Sequence, residues 1–195
     1  IKEVLCRASE ARSGDVQAGL AAASLRERAA AKLVLSELTI HELREAPSVP
    51  YETDDVTRAI EDGLEDGPWQ RVGGWSLGEL RDWILNDETK GEEIKEIGSA
   101  LPPEAVAGVT SLMSNLDLVM AARKLRVVVR CNATLGLSGR ISSRLQPNHP
   151  LDEVPGILAA IREGLSYGNG DAVIGVNPAT ESPENVVAIL EAVKG

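Results

Sequence analysis

Three polar residues lie at the predicted ends of two strands, where their side chains could contact a small polar molecule. Arg144 and Gln146 are two residues apart, so on an extended strand both side chains project from the same face. Asn177 ends the next predicted strand and precedes Pro178. A guanidinium donates strongly to oxygen, and a carboxamide donates and accepts at once, which suits an amino alcohol. The sequence therefore predicts a small-molecule site formed by Arg144, Gln146 and Asn177.

A purely structural role would explain the same residues. An arginine at a strand end often pairs with a carboxylate, and asparagine before proline is common in turns. Position along the chain leaves both interpretations open.

The segment that carries these residues alternates strands with helices. Residues 140–146 and 171–177 are predicted strands, and the second reads DAVIGVN. Residues 152–165 form a predicted helix, and a final helix begins after Ser182. Strands separated by such helices form βαβ units with a parallel sheet. Ligands of parallel α/β proteins gather at the carboxyl ends of the strands, where the polar residues lie.

The preceding part of the chain is predicted to be helical. Residues 1–98 form the predicted N-terminal helical region, and residues 99–195 the predicted α/β region. Three pairs of residues have capping-box spacing at helix starts, namely Ser24 with Glu27, Thr39 with Glu42, and Ser76 with Glu79. Residues 53–64 are predicted to form a short acidic helix ended by Gly67 and Pro68, and Trp75 and Trp83 are predicted to pack against the helical core.

Composition excludes several classes of protein. The 195 residues carry a formal net charge of −10, which argues against general nucleic-acid binding. Apolar stretches are shorter than the about 20 residues of a membrane span. His41 and His149 are isolated and are predicted to be surface or capping residues, so no metal site is predicted. Cys6 and Cys131 do not suggest a disulfide framework, which favours a reducing cytosol.

Glycine-rich motifs add no second site. Walker-type phosphate loops are absent from the sequence, and the segment Gly168-Asn169-Gly170 precedes a strand rather than joining a strand to a helix. It is predicted to be an αβ turn. The chain begins at Ile1 and has only two strands of this strand–helix pattern before its end. It is therefore expected to be the front part of a longer protein.

Short motifs in a fixed order carry a family resemblance. They are RSGD (12–15), AAAS (21–24), RAAAKLVLSE (28–37), SNLDL (114–118), SRLQPN (143–148) and GDAVIGVNP (170–178). Together they resemble the large (heavy) subunit of ethanolamine ammonia-lyase over nearly the whole chain. The resemblance is most specific at residues 143–148 and 164–178.

The resemblance implies an α/β fold in which a helical N-terminal region precedes the first βα units of a TIM-type (β/α)₈ barrel, incomplete in this chain. It also implies a carbon–nitrogen lyase that converts ethanolamine to acetaldehyde and ammonia by a radical mechanism with adenosylcobalamin. The implied partners are the enzyme's small subunit, further copies of the large subunit and a small amino-alcohol substrate, without nucleic acid or membrane. The implied location is the bacterial cytoplasm, inside or outside a microcompartment.

Roles carry over from the family residue by residue. Arg144 and Asn177 match the residues that hold the substrate hydroxyl, and Gln146 matches the residue that contacts the amino group. The family's carboxylates for the ammonium group, and most cofactor contacts, lie beyond Gly195. The chain is therefore expected to be inactive alone, and no catalytic or cofactor-binding residue is assigned within it.

Two other functions are weighed against this one. The chain could be a non-catalytic, acidic helical assembly or interaction module derived from the family, with Arg144, Gln146 and Asn177 in structural roles. It could also belong to a different (β/α)₈ enzyme with a phosphate ligand, which the missing phosphate loops argue against.

Overall fold

Helices make up most of the chain in the computed structural model, which describes residues 1–130, 133–168 and 173–195. The chain divides into two units, Ile1–Leu125 and Arg126–Gly195. In the first unit a short 3₁₀ turn spans Tyr51–Thr53. Its α-helices are α1 (Lys2–Ala8), α2 (Ser13–Gln17), α3 (Leu25–Glu37), α4 (Ile40–Arg44), α5 (Asp55–Asp62), α6 (Asp66–Val72), α7 (Leu77–Leu85), α8 (Gly91–Gly98), α9 (Pro103–Leu112) and α10 (Asn115–Lys124).

The predicted capping residues begin their helices as expected. Ser24 Oγ accepts the backbone N–H of Glu27 at the start of α3. Thr39 and Ser76 form complete capping boxes at the starts of α4 and α7. Each box satisfies backbone donors that the first helical turn leaves without a partner. The three helix starts are therefore confirmed, and local hydrogen bonds explain them.

The core of the first unit lies where α3, α4, α7 and α9 pack together. Its fully buried side chains include Leu35, Leu43 and Leu80. The Trp75 and Trp83 rings meet edge to face with centroids 5.6 Å apart, and both pack against this core. Their predicted packing role is confirmed, and burial of their large apolar surface stabilises the helical unit.

The helical unit differs from the prediction in two places. Gly67 and Pro68 do not end the acidic helix, because α5 ends at Asp62 and both residues lie in the first turn of α6. Proline is tolerated there, since the N–H groups of a first turn have no helical partner to lose. The unit also continues past residue 98 to Leu125. Residues of α9 and α10, including Val109 and Ala121, belong to its core, so the predicted boundary falls inside this unit.

The second unit contains short strands and two helices. Its elements are β1 (Val129–Arg130), β2 (Thr134–Leu135), β3 (Arg144–Leu145), α11 (Val154–Ser166), β4 (Val173–Ile174) and α12 (Pro183–Lys194). Strands β1 and β2 pair antiparallel, whereas β3 and β4 pair in parallel and are joined through α11. The predicted parallel pairing is confirmed. The described residues form no closed sheet.

Some predictions fall on residues that the structure does not describe. The predicted strand at 171–177 is described only from Val173 onward, and Cys131 lies outside the described residues, whereas Cys6 is a free thiol in α1. Gly168 has a positive φ of 70° after the end of α11, as a turn there requires, while residues 169–170 are outside the description. Within the described ranges, no helix has the combined length and apolarity that crossing a membrane demands.

We predict that Leu35→Ala lowers the free energy of unfolding of this chain by about 2–5 kcal/mol, because the substitution leaves a cavity in the core. Leu33→Ala on the same helix is the control, since Leu33 is 72% exposed and Leu35 0%. That change should stay within about 0.5 kcal/mol. Urea titration followed by helical circular dichroism measures both, and equal losses would contradict the assigned core.

Candidate functional site

The parallel register of β3 and β4 decides which side chains share a face. Arg144 lies opposite Val173, and Leu145 opposite Ile174. The ladder is closed by hydrogen bonds from Val173 N–H to the Ser143 carbonyl and from Gly175 N–H to the Leu145 carbonyl, both 2.9 Å. Side chains alternate between the two faces along each strand. Leu145 and Ile174 therefore share one face, and Arg144 shares the other, here called the polar face, with Val173.

The apolar face is covered by the two helices. Ile174 and Val176 pack against a buried cluster that contains Ile157, Ile161 and Ile189 of α11 and α12. Leu145 approaches α11 so closely that a Cβ on Gly164 would lie 2.8 Å from its Cδ2. Burial of these aliphatic side chains holds the strand pair against the helices. The orientation of the opposite face follows from this packing.

The polar face carries the predicted ligand-binding residues. Arg144 and Gln146 share it by their spacing, and the same alternation carries Gly175 and Asn177 to it. The Arg144 guanidinium lies over Gly175, because a Cβ built on that glycine would be 2.8 Å from Arg144 Cζ. Arg144, Gln146 and Asn177 are all exposed. All three predicted residues are accessible, whereas a shared face for Gln146 and Asn177, and a role in binding, stay predictions from the strand alternation.

An asparagine side chain continues the strand pairing at the carboxyl end. The Oδ1 atom of Asn148 accepts the backbone N–H of Asn177 at 3.2 Å. Asn148 is the next residue in the two-residue series of Arg144 and Gln146. It therefore connects the segment after β3 directly to the segment that carries Asn177.

Ion pairing does not account for Arg144. Within residues 1–130, 133–168 and 173–195, the salt bridges of the structure involve other cations and no carboxylate pairs with Arg144. Its guanidinium donors face solvent above Gly175. They remain available to an oxygen of a bound molecule.

The segment between β3 and α11 is shaped by a histidine. His149 Nδ1 accepts the backbone N–H groups of Leu151 and Glu153, both at 3.3 Å. Its ring packs over Gly156, where a Cβ would be 2.8 Å from His149 Cδ2. Glu153 is the N-cap residue of α11, so His149 fixes the backbone just before that helix rather than capping its first turn.

A buried carboxylate fastens this segment to the residues that follow β4. Asp152 is 9% exposed, and its carboxylate accepts the backbone N–H groups of Ala179 at 2.8 Å and Thr180 at 2.7 Å. It also accepts a hydrogen bond from Asn185 Nδ2 at 2.9 Å. Because the backbone donors of Ala179 and Thr180 favour the charged form, they hold the pKa of Asp152 below its ordinary value.

Sequence reasoning did not select Gly175, Asn148 or Asp152. The two-residue period extends from Gln146 to Asn148 and back from Asn177 to Gly175, so it could have suggested the first two. For Asp152 the sequence holds no comparable signal, since its partners are 27 to 33 residues away.

The described residues offer no metal centre. No group of three or more His, Cys, Asp or Glu side chains among them could hold a metal ion. His41 contacts Trp69, with ring centroids 6.1 Å apart, rather than any metal ligand. The predicted site residues carry a guanidinium and carboxamides, which suit oxygen and nitrogen atoms of an organic molecule.

We predict that Asp152→Asn destabilises the chain in a pH-dependent manner. The folded-state pKa lies below the ordinary 3.8, so the ionised carboxylate stabilises the fold fully above that pH and less as the pH falls through the lower value. The stability difference from wild type, measured by thermal unfolding from about pH 6 to about pH 2, should therefore shrink on acidification. Asn148→Ala is the control, because asparagine does not titrate and its stability difference from wild type should not change with pH. If the difference for Asp152→Asn were equally independent of pH, the role assigned to the ionised Asp152 carboxylate would be wrong.

The sequence of the chain matches known proteins over its whole length. The family model "Ethanolamine ammonia lyase large subunit (EutB)" matches residues 1–195. Ethanolamine ammonia-lyase large subunits of Salmonella typhimurium (strain LT2) and Escherichia coli (strain K12) are each 48% identical to the chain over 195 residues. The chain spans 43% of the length of these relatives. By the extent of these matches, the chain belongs to the ethanolamine ammonia-lyase large-subunit family.

Proposed function

We propose that this chain contributes the substrate-binding strand ends of an ethanolamine ammonia-lyase, which converts ethanolamine to acetaldehyde and ammonia. The observation that carries the proposal is the exposed Arg144 guanidinium over Gly175, on the strand face from which Gln146 and Asn177 are expected to project. Family membership supplies the reaction. Because the chain spans 43% of its relatives, activity is expected only when the remaining part of the subunit is present.

The proposal includes the fold of the complete subunit. The β3–α11–β4 arrangement is a parallel unit of the kind that repeats in a TIM-type (β/α)₈ barrel. Its polar residues lie at the carboxyl ends of the strands, where barrels of this type bind their substrates. These features support a second unit that begins such a barrel, with further strands supplied by the rest of the subunit.

The chemistry of ethanolamine suits the three side chains. Arg144 donates hydrogen bonds to the hydroxyl oxygen, and its planar guanidinium stabilises negative charge that develops there. Asn177 holds the same hydroxyl, while the carbonyl of Gln146 accepts from the substrate's ammonium group. The fixed positive charge of Arg144 also repels the ammonium, so the substrate binds in one orientation.

Adenosylcobalamin supplies the radical chemistry of this enzyme class. The polar face provides hydrogen-bonding groups for an amino alcohol, and the described residues hold no cluster suited to a metal ion. The role of Arg144, Gln146 and Asn177 is to bind and orient the substrate.

Exposed apolar residues on α3 favour partners for the helical unit. Leu25 is 79% exposed and Leu33 72%, and Val34 lies beside them. Large apolar side chains that face outward along one helix are typical of protein–protein contacts. They support the small subunit and further large subunits as partners. They also favour the second candidate function, an acidic assembly module that has lost catalysis.

One pair of assays separates these functions. Ethanolamine-dependent acetaldehyde release is measured with adenosylcobalamin and the small subunit, for this chain and for the extended subunit side by side. The lyase proposal expects activity only in the extended form. Absence of activity in both, with the small subunit still bound, would favour the assembly module. The length of the native polypeptide in cell extract provides a second check, since the lyase requires a longer chain.

We predict that Arg144→Ala in the extended subunit lowers kcat/KM for ethanolamine by about 100-fold or more, because a fixed charged donor at the hydroxyl is lost. Arg144→Lys should fall between the alanine variant and wild type, since lysine keeps the charge without the planar fork. Arg162→Ala, which removes an exposed arginine from α11, is the matched control. Normal turnover of Arg144→Ala would remove Arg144 from the mechanism.

We predict that Gly175→Ala also impairs the enzyme, because the new methyl group would occupy the space that the Arg144 guanidinium fills. The expected result is a raised KM for ethanolamine with the protein still folded. Gly98→Ala serves as the control, since a Cβ there meets no atom within 4 Å. Steady-state kinetics checks both variants, and an unchanged KM for Gly175→Ala would show that the position of Arg144 is unimportant.

A further inference from the structure

We infer that Asp152 is a positioning residue for Asn177, and that it acts by fixing the segment after β4 on which Asn177 lies. This inference rests on the proposed function, in which Asn177 holds the substrate hydroxyl. Asp152 itself is buried and touches backbone N–H groups and Asn185, so its effect on substrate passes through the segment it holds.

The contacts of Asp152 join two segments that meet at the carboxyl ends of β3 and β4. Asp152 lies between β3 and α11, whereas its partners Ala179 and Thr180 lie between β4 and α12. Asn148 adds a parallel connection, since its side chain accepts the N–H of Asn177. The two segments are therefore linked on both sides of Pro178.

The backbone between Asn177 and Ala179, which is held by Asp152, is rigid. Proline fixes its own φ and restricts the residue before it to extended conformations, so Asn177 and Pro178 move together. Ala179, directly after them, donates to Asp152. When Ala179 and Thr180 are held, the backbone of Asn177 has little conformational freedom, which limits the positions that its carboxamide can reach.

The backbone conformation and the burial of Asp152 both cost free energy. Its φ of 53° lies in the left-handed region, where a non-glycine residue is under strain. Its carboxylate is also withdrawn from water. The hydrogen bonds from Ala179, Thr180 and Asn185 compensate for both costs. A glycine would relieve the strain but has no side chain to accept from the two backbone N–H groups.

Asp152→Asn weakens the hydrogen bonds of the side chain but keeps the backbone conformation. Asparagine tolerates the left-handed region, so the turn is kept, while one carboxylate oxygen becomes an NH₂ group that cannot accept a hydrogen bond. In the extended subunit, assembled with the small subunit and adenosylcobalamin, we expect kcat/KM for ethanolamine to fall by about 10- to 100-fold, with KM raised. A simple loss of folded enzyme would lower kcat and leave KM unchanged.

A double-mutant cycle tests whether the effect passes through Asn177. If Asp152 acts by positioning Asn177, then Asp152→Asn adds nothing further in kcat/KM to Asn177→Ala. Independent effects of the two substitutions, which multiply, would overturn the inference while leaving the proposed function intact. Normal kinetics of Asn177→Ala would instead overturn the proposed function, and the inference with it.

Hydrogen exchange gives a readout that does not depend on activity. The amides of Ala179 and Thr180 should lose protection in Asp152→Asn, because their acceptor is impaired. Lost protection with unchanged kcat/KM would overturn the positioning role. Asp117→Asn is the matched control, since Asp117 is a carboxylate that accepts a backbone N–H at the start of α10 in the other unit. It should change neither the exchange at 179–180 nor the kinetics.

A milder variant keeps the inference testable if Asp152→Asn fails to fold. Asn185→Ala removes the side-chain donor to Asp152 and to the Thr180 carbonyl but leaves both backbone contacts of the carboxylate. It should raise KM by a smaller factor than Asp152→Asn and show the same lack of additivity with Asn177→Ala. A purely multiplicative effect of Asn185→Ala would count against the inference in the same way.

Discussion

Side chains on adjacent parallel strands alternate between two faces, and the register of β3 and β4 uses this alternation to separate apolar from polar residues. Leu145 and Ile174 turn toward α11 and α12, while Arg144 and Gln146 turn away from them. A shift by one residue would bury the guanidinium and expose the aliphatic side chains, at a large cost in free energy. The position of the candidate site therefore follows from the packing of the opposite face.

Side-chain hydrogen bonds extend the connection between the two chain segments beyond the short strand pair. Two paired residues in each strand provide few hydrogen bonds, and a two-stranded sheet is marginal in water. Asn148 and Asp152 extend the connection beyond the strands by accepting backbone N–H groups of Asn177, Ala179 and Thr180. Binding residues at strand ends need such support, because a loop without it would present its side chains in many directions.

Much of the fold could be predicted from residues close together in the sequence. Ser24, Thr39 and Ser76 marked helix starts, because a capping hydrogen bond joins residues three apart. Local reasoning gave a wrong prediction at Pro68. Proline commonly ends helices, but here it lies in the first turn of α6. The two-residue spacing of Arg144 and Gln146 likewise predicts a shared strand face from the sequence alone.

The sequence by itself determined the helix caps, the alternating strand–helix order, the family resemblance and the choice of Arg144, Gln146 and Asn177. Only the tertiary structure decided that the guanidinium of Arg144 lies over Gly175 and that Asp152 holds residues 179–180. The physical reason is distance along the chain. Caps and alternation arise from neighbouring residues, whereas contacts between residues 27 or more positions apart depend on where the intervening helix returns the backbone.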